Sequence, residues 1–120
     1  MTGSGGANDI ASSAQETLVT LTQTRNRFVE KVPYITAPGR RVRAVVSDLG
    51  LYEKVEEHGE LILTGTFAGK PEAEAVRAAQ ERCGWGLKVS PALRRFDPPG
   101  PEELRLIRLF DPRRYFLGEL

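Results

Sequence analysis

A glycine-rich segment at the start of the sequence leads directly into a predicted helix. Residues 3–9 read Gly-Ser-Gly-Gly-Ala-Asn-Asp, and such small residues let backbone N–H groups come close to a ligand. The helix is predicted over residues 9–14, with Asn8 or Asp9 near its N-cap. A loop of this kind lies between a β-strand and a helix, yet only two residues precede it here. We therefore expect part of a larger domain, in which another segment supplies the preceding strand.

Four segments have the patterns of β-strands. Residues 17–22 alternate β-branched and apolar side chains, and residues 87–89 form a short candidate strand. The two strongest candidates are residues 43–53 and residues 60–67, each of which contains several Val, Ile or Leu residues. The polar connection over residues 55–59 ends in a glycine, which is typical of a hairpin. We therefore expect the two strongest strands to be antiparallel neighbours.

Two further segments predict helices. In residues 71–82 the proline fits the first turn, and alanine and valine form an apolar stripe on one face. Gly84 follows as a candidate C-terminal cap. The second helix covers residues 102–110, after a rigid Pro-Pro-Gly-Pro spacer, and ends at Asp111-Pro112. Its apolar residues have helical spacing, which predicts either core packing or a subunit interface: Leu104, Ile107, Leu109 and Phe110.

Composition and charge exclude several classes of function. The chain has 120 residues, which allows one domain, and a formal net charge of +1. This balance gives no reason to expect a nucleic-acid partner, and no apolar run is long enough for a membrane span. The polar N-terminal segment lacks the apolar centre of a signal peptide. The chain has one cysteine, Cys83, which cannot form an internal disulfide, so we expect a cytoplasmic protein.

Four motifs occur in an order that points to one family. They are residues 3–11, Gly-Ser-Gly-Gly-Ala-Asn-Asp-Ile-Ala; residues 27–39, which include Arg-Phe-Val-Glu-Lys-Val and Tyr-Ile-Thr; residues 45–52, Val-Val-Ser-Asp-Leu-Gly-Leu-Tyr; and a C-terminal set of Gly84-Trp85, residues 101–104 and Asp111-Pro112. Each motif alone is modest, but the four together cover nearly the whole chain. In this order they resemble the C-terminal half of the beta subunit of class I coenzyme A (CoA) transferases, especially the glutaconate CoA-transferase-like branch.

The resemblance implies an α/β fold, namely part of the CoA-transferase (NagB/RpiA/CoA-transferase-like) sheet with flanking helices and a β-hairpin. Residues 1–120 would form one domain, the C-terminal portion of a beta subunit. Residues 1–14 correspond to the active-site loop and helix start, and residues 98–120 to a C-terminal helix and tail. The resemblance also implies an alpha-subunit partner or a homo-oligomer, acyl-CoA as the substrate, and no bound cofactor.

The chemistry of these transferases explains the importance of the glycine-rich loop. In the family, a glutamate attacks the thioester carbonyl of acyl-CoA to form an acyl-glutamyl anhydride and then a glutamyl-CoA thioester. Each step passes through an oxyanion, which backbone N–H groups and a helix N-terminus stabilise. The resemblance implies that these residues bind the substrate and CoA: Gly3, Ser4, Gly5, Gly6, Ala7, Asn8 and Asp9. We expect residues 5–8 to face the substrate and Asp9 to support the loop by capping.

The sequence also departs from the family in ways that affect activity. The family's nucleophile lies in a Ser-Glu-Asn-Gly-like motif upstream of the glycine-rich loop, and the chain contains no such motif. We therefore expect the chain to be catalytically incomplete alone, with no catalytic residue of its own. Glu16 and Glu30 are the nearest alternatives, although neither stands in the family's motif. Two other functions stay open: a non-catalytic CoA-binding or subunit-scaffolding domain, and a family member that hydrolyses CoA thioesters.

The remaining reactive or charged side chains have simpler explanations. His58 lies in a polar turn without a nearby second histidine or cysteine, so we expect a surface residue and no metal site. Cys83 is expected to be a small buried residue, and Trp85 a packing residue. The arginines within residues 40–43 have two interpretations, a solvated strand start or a contact to a CoA phosphate. A Gly-Ser-Gly-Gly run is also typical of an artificial linker, but the family's register after it favours a true loop.

Overall fold

Five β-strands form one mixed sheet in the order in which they follow each other along the chain. The computed structural model describes residues 5–56, 59–115 and 117–118, and the elements named here lie within those ranges. They are α1 (Gly5–Ser13), β1 (Thr17–Leu21), β2 (Val42–Ser47), β3 (Leu51–Lys54), β4 (Leu61–Phe67), α2 (Glu72–Glu81), β5 (Val89–Phe96) and α3 (Pro101–Phe110). The expected α/β class, with a sheet and flanking helices, is confirmed.

Four of these strands point in the same direction. β1 and β2 are parallel, β4 and β5 are parallel, and β3 is antiparallel to both of its neighbours. The C-terminal ends of β1, β2, β4 and β5 therefore lie at one edge of the sheet, which is where ligands commonly bind in α/β proteins. Two connections join the parallel pairs. The first crossover, residues 22–41, contains no helix or strand, and the second crossover, residues 68–88, contains α2.

The segment predicted as one strand over residues 43–53 is two strands joined by a tight turn. The hydroxyl of Ser47 accepts hydrogen bonds from the N–H groups of Leu49 and Gly50, at 3.0 and 3.2 Å. The N–H of Ser47 in turn donates to the carbonyl of Gly50, at 2.9 Å. A Cβ atom on Gly50 would lie 2.8 Å from the Gly65 carbonyl, so a larger residue does not fit. The single-strand prediction was wrong because this hydroxyl stabilises a turn within an apolar run.

The other strand predictions were confirmed in part. The segment over residues 17–22 is β1, and the expected antiparallel neighbours are β3 and β4. The last strand is β5, over Val89–Phe96 instead of residues 87–89. Leu87 is a buried core residue before the strand begins. Parallel pairing with β4 extends β5 through a proline and two arginines, a composition that local strand propensity disfavours.

The core lies between one face of the sheet and the two crossovers. Val45, Tyr52 and Leu63 are aligned across neighbouring strands and are buried on the same face. Ala79 and Cys83 from the second crossover pack against them. From the first crossover, Phe28 packs edge-on against Tyr52 with ring centres 5.2 Å apart and stacks on Trp85 at 5.8 Å. The predictions that Cys83 is buried and that Trp85 is a packing residue are confirmed.

Gly84 has a different role from the predicted helix cap. Arg82 occupies the C-cap position of α2. The N–H of Gly84 donates to the carbonyl of Phe28 at 2.7 Å, and a Cβ atom at Gly84 would lie 2.5 Å from that same oxygen. Glycine is therefore required because the two crossovers approach each other closely at this point.

The apolar residues of the C-terminal helix are not part of the core, which was one of their two predicted roles. Within α3 no residue is buried, and Ile107, Leu109 and Phe110 are exposed. The core interpretation was wrong for this helix, whereas the interface interpretation stays a prediction. The carboxylate of Glu103 accepts the N–H of Gly100 at 2.7 Å and so caps the helix start. Among the described helices, none is both long and apolar enough to cross a bilayer.

Candidate functional site

The glycine-rich segment is helical where the structure describes it. Gly3 and Ser4 lie outside the described residues, and α1 begins at Gly5. The predictions of a loop up to Asp9 and of an N-cap at Asn8 or Asp9 were therefore wrong for residues 5–9. Both polar atoms of the Asn8 side chain have other partners: Nδ2 donates to the Thr36 carbonyl, and Oδ1 accepts from the Ser12 hydroxyl at 3.5 Å.

The first turn of α1 is open to solvent. Gly5, Gly6 and Ala7 are exposed, and Cβ atoms built on the two glycines would meet no atom within 4 Å. The first turn contains no acidic residue. Since the first N–H groups of a helix lack partners within the helix, this end offers hydrogen-bond donors and a favourable dipole to an anion. The arrangement has the chemistry needed to stabilise an oxyanion.

Asn8 and Asp9 make hydrogen bonds to the first crossover and within α1, respectively. Asn8 Nδ2 donates to the Thr36 carbonyl at 2.8 Å, which ties α1 to the first crossover. The backbone carbonyl of Asp9 accepts a hydrogen bond from the Ser13 hydroxyl, one turn later. Asp9 therefore lies within the helix, and the expectation that it caps the loop was wrong. This bond joins the motif over residues 3–11 to the motif over residues 27–39. The contact of residues 5–8 with substrate stays a prediction.

A buried hydrogen-bond network, which we call the Gln23 network, lies at the C-terminal edge of the sheet. The Gln23 side chain is fully buried. Its Nε2 donates to the Ala79 carbonyl at 2.9 Å, while its Oε1 accepts from the Ser47 hydroxyl at 2.9 Å and from the Tyr52 hydroxyl. The backbone N–H of Gln23 donates to Asp48 Oδ1 at 2.6 Å. These bonds fix the ends of β1 and β2 against α2.

The Tyr52 hydroxyl in the network stays protonated over the ordinary pH range. Burial raises the pKa of Tyr52 to about 12, although hydrogen bonds with Ser47 and Gln23 partly oppose this shift. The hydroxyl therefore remains a donor to Gln23. Burial likewise raises the pKa of the Cys83 thiol, so that this group remains a protonated, packed side chain. Sequence reasoning missed Gln23, because a glutamine between threonines carries no motif; only residues 45–52 marked this region.

A small cavity adjoins the network at the ends of β2 and β4. Its volume is about 240 Å³, which is smaller than the ~300–1,000 Å³ of typical ligand pockets. It is lined by Asp48, Leu49, Phe67, Ala68, Gly69, Lys70, Ala75 and Ala78. Asp48 Oδ2 lies 4.0 Å from Arg82 Nη1, so the carboxylate has a cationic neighbour at the surface.

The two glutamates considered as nucleophiles lie on the surface. Glu16 Oε2 lies 3.6 Å from Arg43 Nε in an exposed ion pair, and Glu30 is exposed in the first crossover. Two other glutamates, Glu53 and Glu60, pair with Arg94 and Lys88. None of these four is buried, and Glu16, Glu53 and Glu60 are each held in an ion pair. His58 lies outside the described residues, which contain no cluster of three or more metal-ligating side chains.

The arginines within residues 40–43 support the start of the strands. Arg41 Nη1 donates to the Ala14 carbonyl, and Arg43 pairs with Glu16. Together with Lys54, which donates to the Gly39 carbonyl at 2.6 Å, they line an open cleft of about 460 Å³. This cleft lies at the edge opposite to the Gln23 network, because it surrounds the beginnings of β1 and β2. These contacts favour the strand-start interpretation over a phosphate contact.

Two curated proteins match nearly the whole chain. The B subunit of the 3-oxoadipate CoA-transferase of Pseudomonas knackmussii is 28% identical, and the match covers 92% of this chain and 47% of that protein. The B subunit of the glutaconate CoA-transferase of Acidaminococcus fermentans is 29% identical, and the match covers 97% of the chain and 48% of that protein. The chain is a homologue of CoA-transferase B subunits. It spans about half the length of these relatives, and no family model matches it.

Solved structures confirm the expected fold and show its range of chemistry. The glutaconate CoA-transferase of Acidaminococcus fermentans superposes on 100% of the chain and 50% of its own chain, with a TM-score of 0.77 and 27% identity. A decarboxylase, AibA/AibB, superposes on 96% of the chain and 46% of its own, with a TM-score of 0.73 and 25% identity. The fold therefore occurs in enzymes of two reaction types, so the fold alone does not determine the reaction.

Proposed function

We propose that the chain is the C-terminal part of a CoA-transferase-type B subunit, and that it contributes to an acyl-CoA site which is complete only in a larger assembly. The observation that carries this proposal is the similarity to two CoA-transferase B subunits over 92% and 97% of the chain. Because the match covers 47% and 48% of those proteins, we assign the activity to an assembly that includes the remaining half.

In this proposal the N-terminal end of α1 binds the oxyanion of the reacting carbonyl. Gly5 and Gly6 leave their N–H groups accessible, and the bond between Asn8 and Thr36 holds the helix in place. An oxyanion hole requires donors that are fixed before the reaction begins, and the tethered first turn of α1 meets that requirement.

The nucleophilic glutamate comes from outside these 120 residues. The chain lacks the family's Ser-Glu-Asn-Gly motif, and Glu16 is paired with Arg43 at the opposite edge from the Gln23 network. The glutamate carboxylate attacks the thioester carbonyl, the CoA thiolate leaves, and an acyl-glutamyl anhydride forms. The thiolate then attacks the glutamyl carbonyl and releases the first carboxylate, and the second carboxylate reverses these steps to form the new thioester.

The Gln23 network holds the end of the sheet that faces the proposed site. Gln23 links β1 and β2 to α2, and Asp48 follows β2 at the small cavity. These are positioning roles, since no described contact joins them to a reacting atom. The names of the relatives also imply an A-subunit partner, which would contribute further walls of the site.

The experiment that tests the proposal is a CoA-transfer assay on the assembly that contains this chain, purified from its source cells through a tag on the chain. Glutaconate and 3-oxoadipate, which appear in the relatives' names, serve as acceptors, with acetyl-CoA and succinyl-CoA as donors. We expect formation of the new thioester and no transfer by the 120-residue chain alone. Absence of transfer from an intact assembly with every donor and acceptor pair would refute the transferase assignment.

A pair of glycine variants tests the role of α1. Gly6→Leu places a side chain over the first turn without a clash, because a Cβ atom there meets nothing within 4 Å. Gly86→Leu is the matched control, since its Cβ atom also has open space. We expect Gly6→Leu to lower transfer at least about 100-fold, comparable to losing an oxyanion-hole donor, while Gly86→Leu leaves it unchanged.

A second reaction type is the alternative outcome of the same assay. The match to a decarboxylase favours a test for products other than the exchanged thioester. Free CoA released without a new thioester would indicate hydrolysis, and carbon dioxide release from an acyl-CoA would indicate decarboxylation. If the assembly binds CoA but converts none of these substrates, the non-catalytic scaffold interpretation replaces the transferase assignment.

A further inference from the structure

The small cavity at the ends of β2 and β4 has a mainly apolar lining. Of its eight lining residues, five are apolar and one is glycine: Leu49, Phe67, Ala68, Gly69, Ala75 and Ala78. A Cβ atom on Gly69 would meet no atom within 4 Å, and the φ of +119° at this residue disfavours any other side chain. The wall is therefore bare at this point. A lining of this kind is typical of a site for an apolar group of a ligand.

The two charged residues of the lining already have partners. Lys70 Nζ lies 3.6 Å from Glu74 Oε1. Asp48 Oδ2 lies 4.0 Å from Arg82 Nη1, and Asp48 Oδ1 accepts the backbone N–H of Gln23 at 2.6 Å. The eight lining residues therefore offer no unpaired cation to a carboxylate on a ligand. The carboxylates of Asp48 and Glu74 would in addition repel such a group.

Contacts between distant segments hold the walls of the cavity in place. Gln23 Nε2 donates to the Ala79 carbonyl at 2.9 Å, which fixes α2, the helix that contributes Ala78 to the lining. The N–H of Ala68 donates to the Phe96 carbonyl at 2.8 Å, which fixes the backbone where β4 ends. Because these walls are already ordered, a ligand that enters the cavity pays little additional entropy to order them.

The cavity lies at the edge of the sheet that the proposed function requires. Asp48 directly follows β2, and Ala68 directly follows β4. The last turn of α1 lies at the other edge, where Arg41 Nη1 donates to the Ala14 carbonyl. At ~1.5 Å per residue, the first turn of α1 is about 13 Å away from that edge. The acyl chain attached to a carbonyl at α1 is therefore the part of the substrate that this apolar cavity can bind.

We propose that the cavity binds the hydrocarbon chain of the acyl group, and that the substrates are monocarboxylic acids with an apolar chain. The cavity volume of about 240 Å³ is about eight times the ~30 Å³ that a water molecule occupies in the liquid, so acids of about four to six carbon atoms fit. This inference rests on the proposed function, which supplies the reacting carbonyl. It differs from the names of the relatives, since glutaconate and 3-oxoadipate carry a carboxylate at each end.

A comparison of three acids tests the proposal without any substitution. The assembly purified from source cells through a tag on the chain receives acetyl-CoA as the donor and pentanoate, glutarate or propionate as the acceptor. Pentanoate and glutarate have equal numbers of carbon atoms, but glutarate ends in a carboxylate instead of a methyl group. We expect kcat/KM for pentanoate to exceed the values for glutarate and propionate at least about tenfold, because each buried methylene group contributes about that factor in an apolar pocket.

Two variants of α2 connect this preference to the cavity. Ala78 lines the cavity, whereas Ala73 is exposed on the same helix and does not line it. The larger side chain of Ala78→Leu should fill part of the cavity and lower the ratio of pentanoate to propionate transfer at least about tenfold. Ala73→Leu is the matched control and should leave this ratio unchanged. Circular dichroism establishes that both variants fold, and the comparison of the three acids depends on neither.

Binding of unreactive analogues separates this inference from the proposed function. S-pentyl-CoA is a thioether without the reacting carbonyl, and S-(4-carboxybutyl)-CoA differs from it only by a terminal carboxylate in place of a methyl group. In calorimetry with the assembly, we expect the Kd of S-pentyl-CoA to be at least about tenfold lower, and Ala78→Leu to abolish most of this difference. This preference without transfer would remove the transferase assignment and keep the cavity assignment, whereas transfer without this preference would remove the cavity assignment alone.

Two results would overturn the proposal. The first is transfer to glutarate that is equal to or faster than transfer to pentanoate. Loss of that transfer in Lys70→Met would then show that Lys70 binds a second carboxylate and that the substrates are dicarboxylic acids. The second is a preference for pentanoate that a folded Ala78→Leu variant retains in full, which would show that the acyl chain binds elsewhere.

Discussion

The substitution Gln23→Leu should destabilise the chain more than its size suggests. The glutamine donates to the Ala79 carbonyl and accepts from the hydroxyls of Ser47 and Tyr52. Leucine fills most of the same volume but leaves each of these buried groups without its partner. Since an unmade buried hydrogen bond costs about 1 kcal/mol or more, we expect the free energy of unfolding to fall by about 3 kcal/mol.

A double-mutant cycle separates the hydrogen bonds from the packing. Tyr52→Phe alone removes one donor to Gln23 and should cost about 1 kcal/mol. Gln23→Leu alone leaves the Tyr52 hydroxyl without a partner, but in the double variant this hydroxyl is absent. The two substitutions together should therefore cost about 1 kcal/mol less than the sum of the single ones.

Urea denaturation followed by the fluorescence of Trp85 measures these differences. Trp85 is the chain's one tryptophan and stacks on Phe28 in the core, so its signal reports unfolding of the region that contains the network. Gln15→Leu is the control, because this glutamine is exposed and should change the free energy by at most about 0.5 kcal/mol. A loss below about 0.5 kcal/mol for Gln23→Leu, together with additive effects in the cycle, would refute the network.

Three further predictions follow from single residues. Gly6→Ala should raise the free energy of unfolding by about 0.5–1 kcal/mol in thermal denaturation, because Gly6 lies in a helix and an added methyl group meets no clash; a loss of stability would contradict the helix start. Burial raises the pKa of Tyr52 from 10.0 to about 12, so the unfolded state ionises first and stability should fall as the pH rises between these values. Tyr52→Phe should make that decline shallower, and an unchanged slope would show that the hydroxyl ionises equally in both states. The Cys83 thiol is 2% exposed and its pKa is raised by burial, so a thiol reagent should modify it at least about 100-fold more slowly in buffer than in urea; rapid modification in buffer would contradict its burial.

Local patterns predicted the elements that depend on local interactions. α2 was predicted over residues 71–82 and occurs at Glu72–Glu81, because an N-terminal proline and an apolar stripe act within one helix. α3 was predicted over residues 102–110 and begins one residue earlier. The turn that divides residues 43–53 was missed, because the hydroxyl of Ser47 stabilises it inside an apolar run.

The arrangement at the candidate site depends on residues that are distant in the sequence. Gln23 contacts Ala79, 56 positions away, and Ser47, 24 positions away, and no spacing rule relates such residues. The start of α1 was placed too late, because the side-chain amide of Asn8 bonds to Thr36, 28 positions away, instead of capping the helix. The family's motifs marked both regions, but only the fold reveals what their side chains do.

The close approach at Gly84 has a consequence for the order of folding. The first crossover has no helix or strand of its own, and its described anchors include Phe28 on Gly84 and Gln23 on Ala79. These partners exist only after α2 has docked on the hairpin of β3 and β4. Closing this long connection costs chain entropy, which its own local contacts do not offset. We therefore expect β1 to join the sheet last. By the same reasoning we expect β1, an edge strand of the sheet, to be the first to detach when the chain begins to unfold.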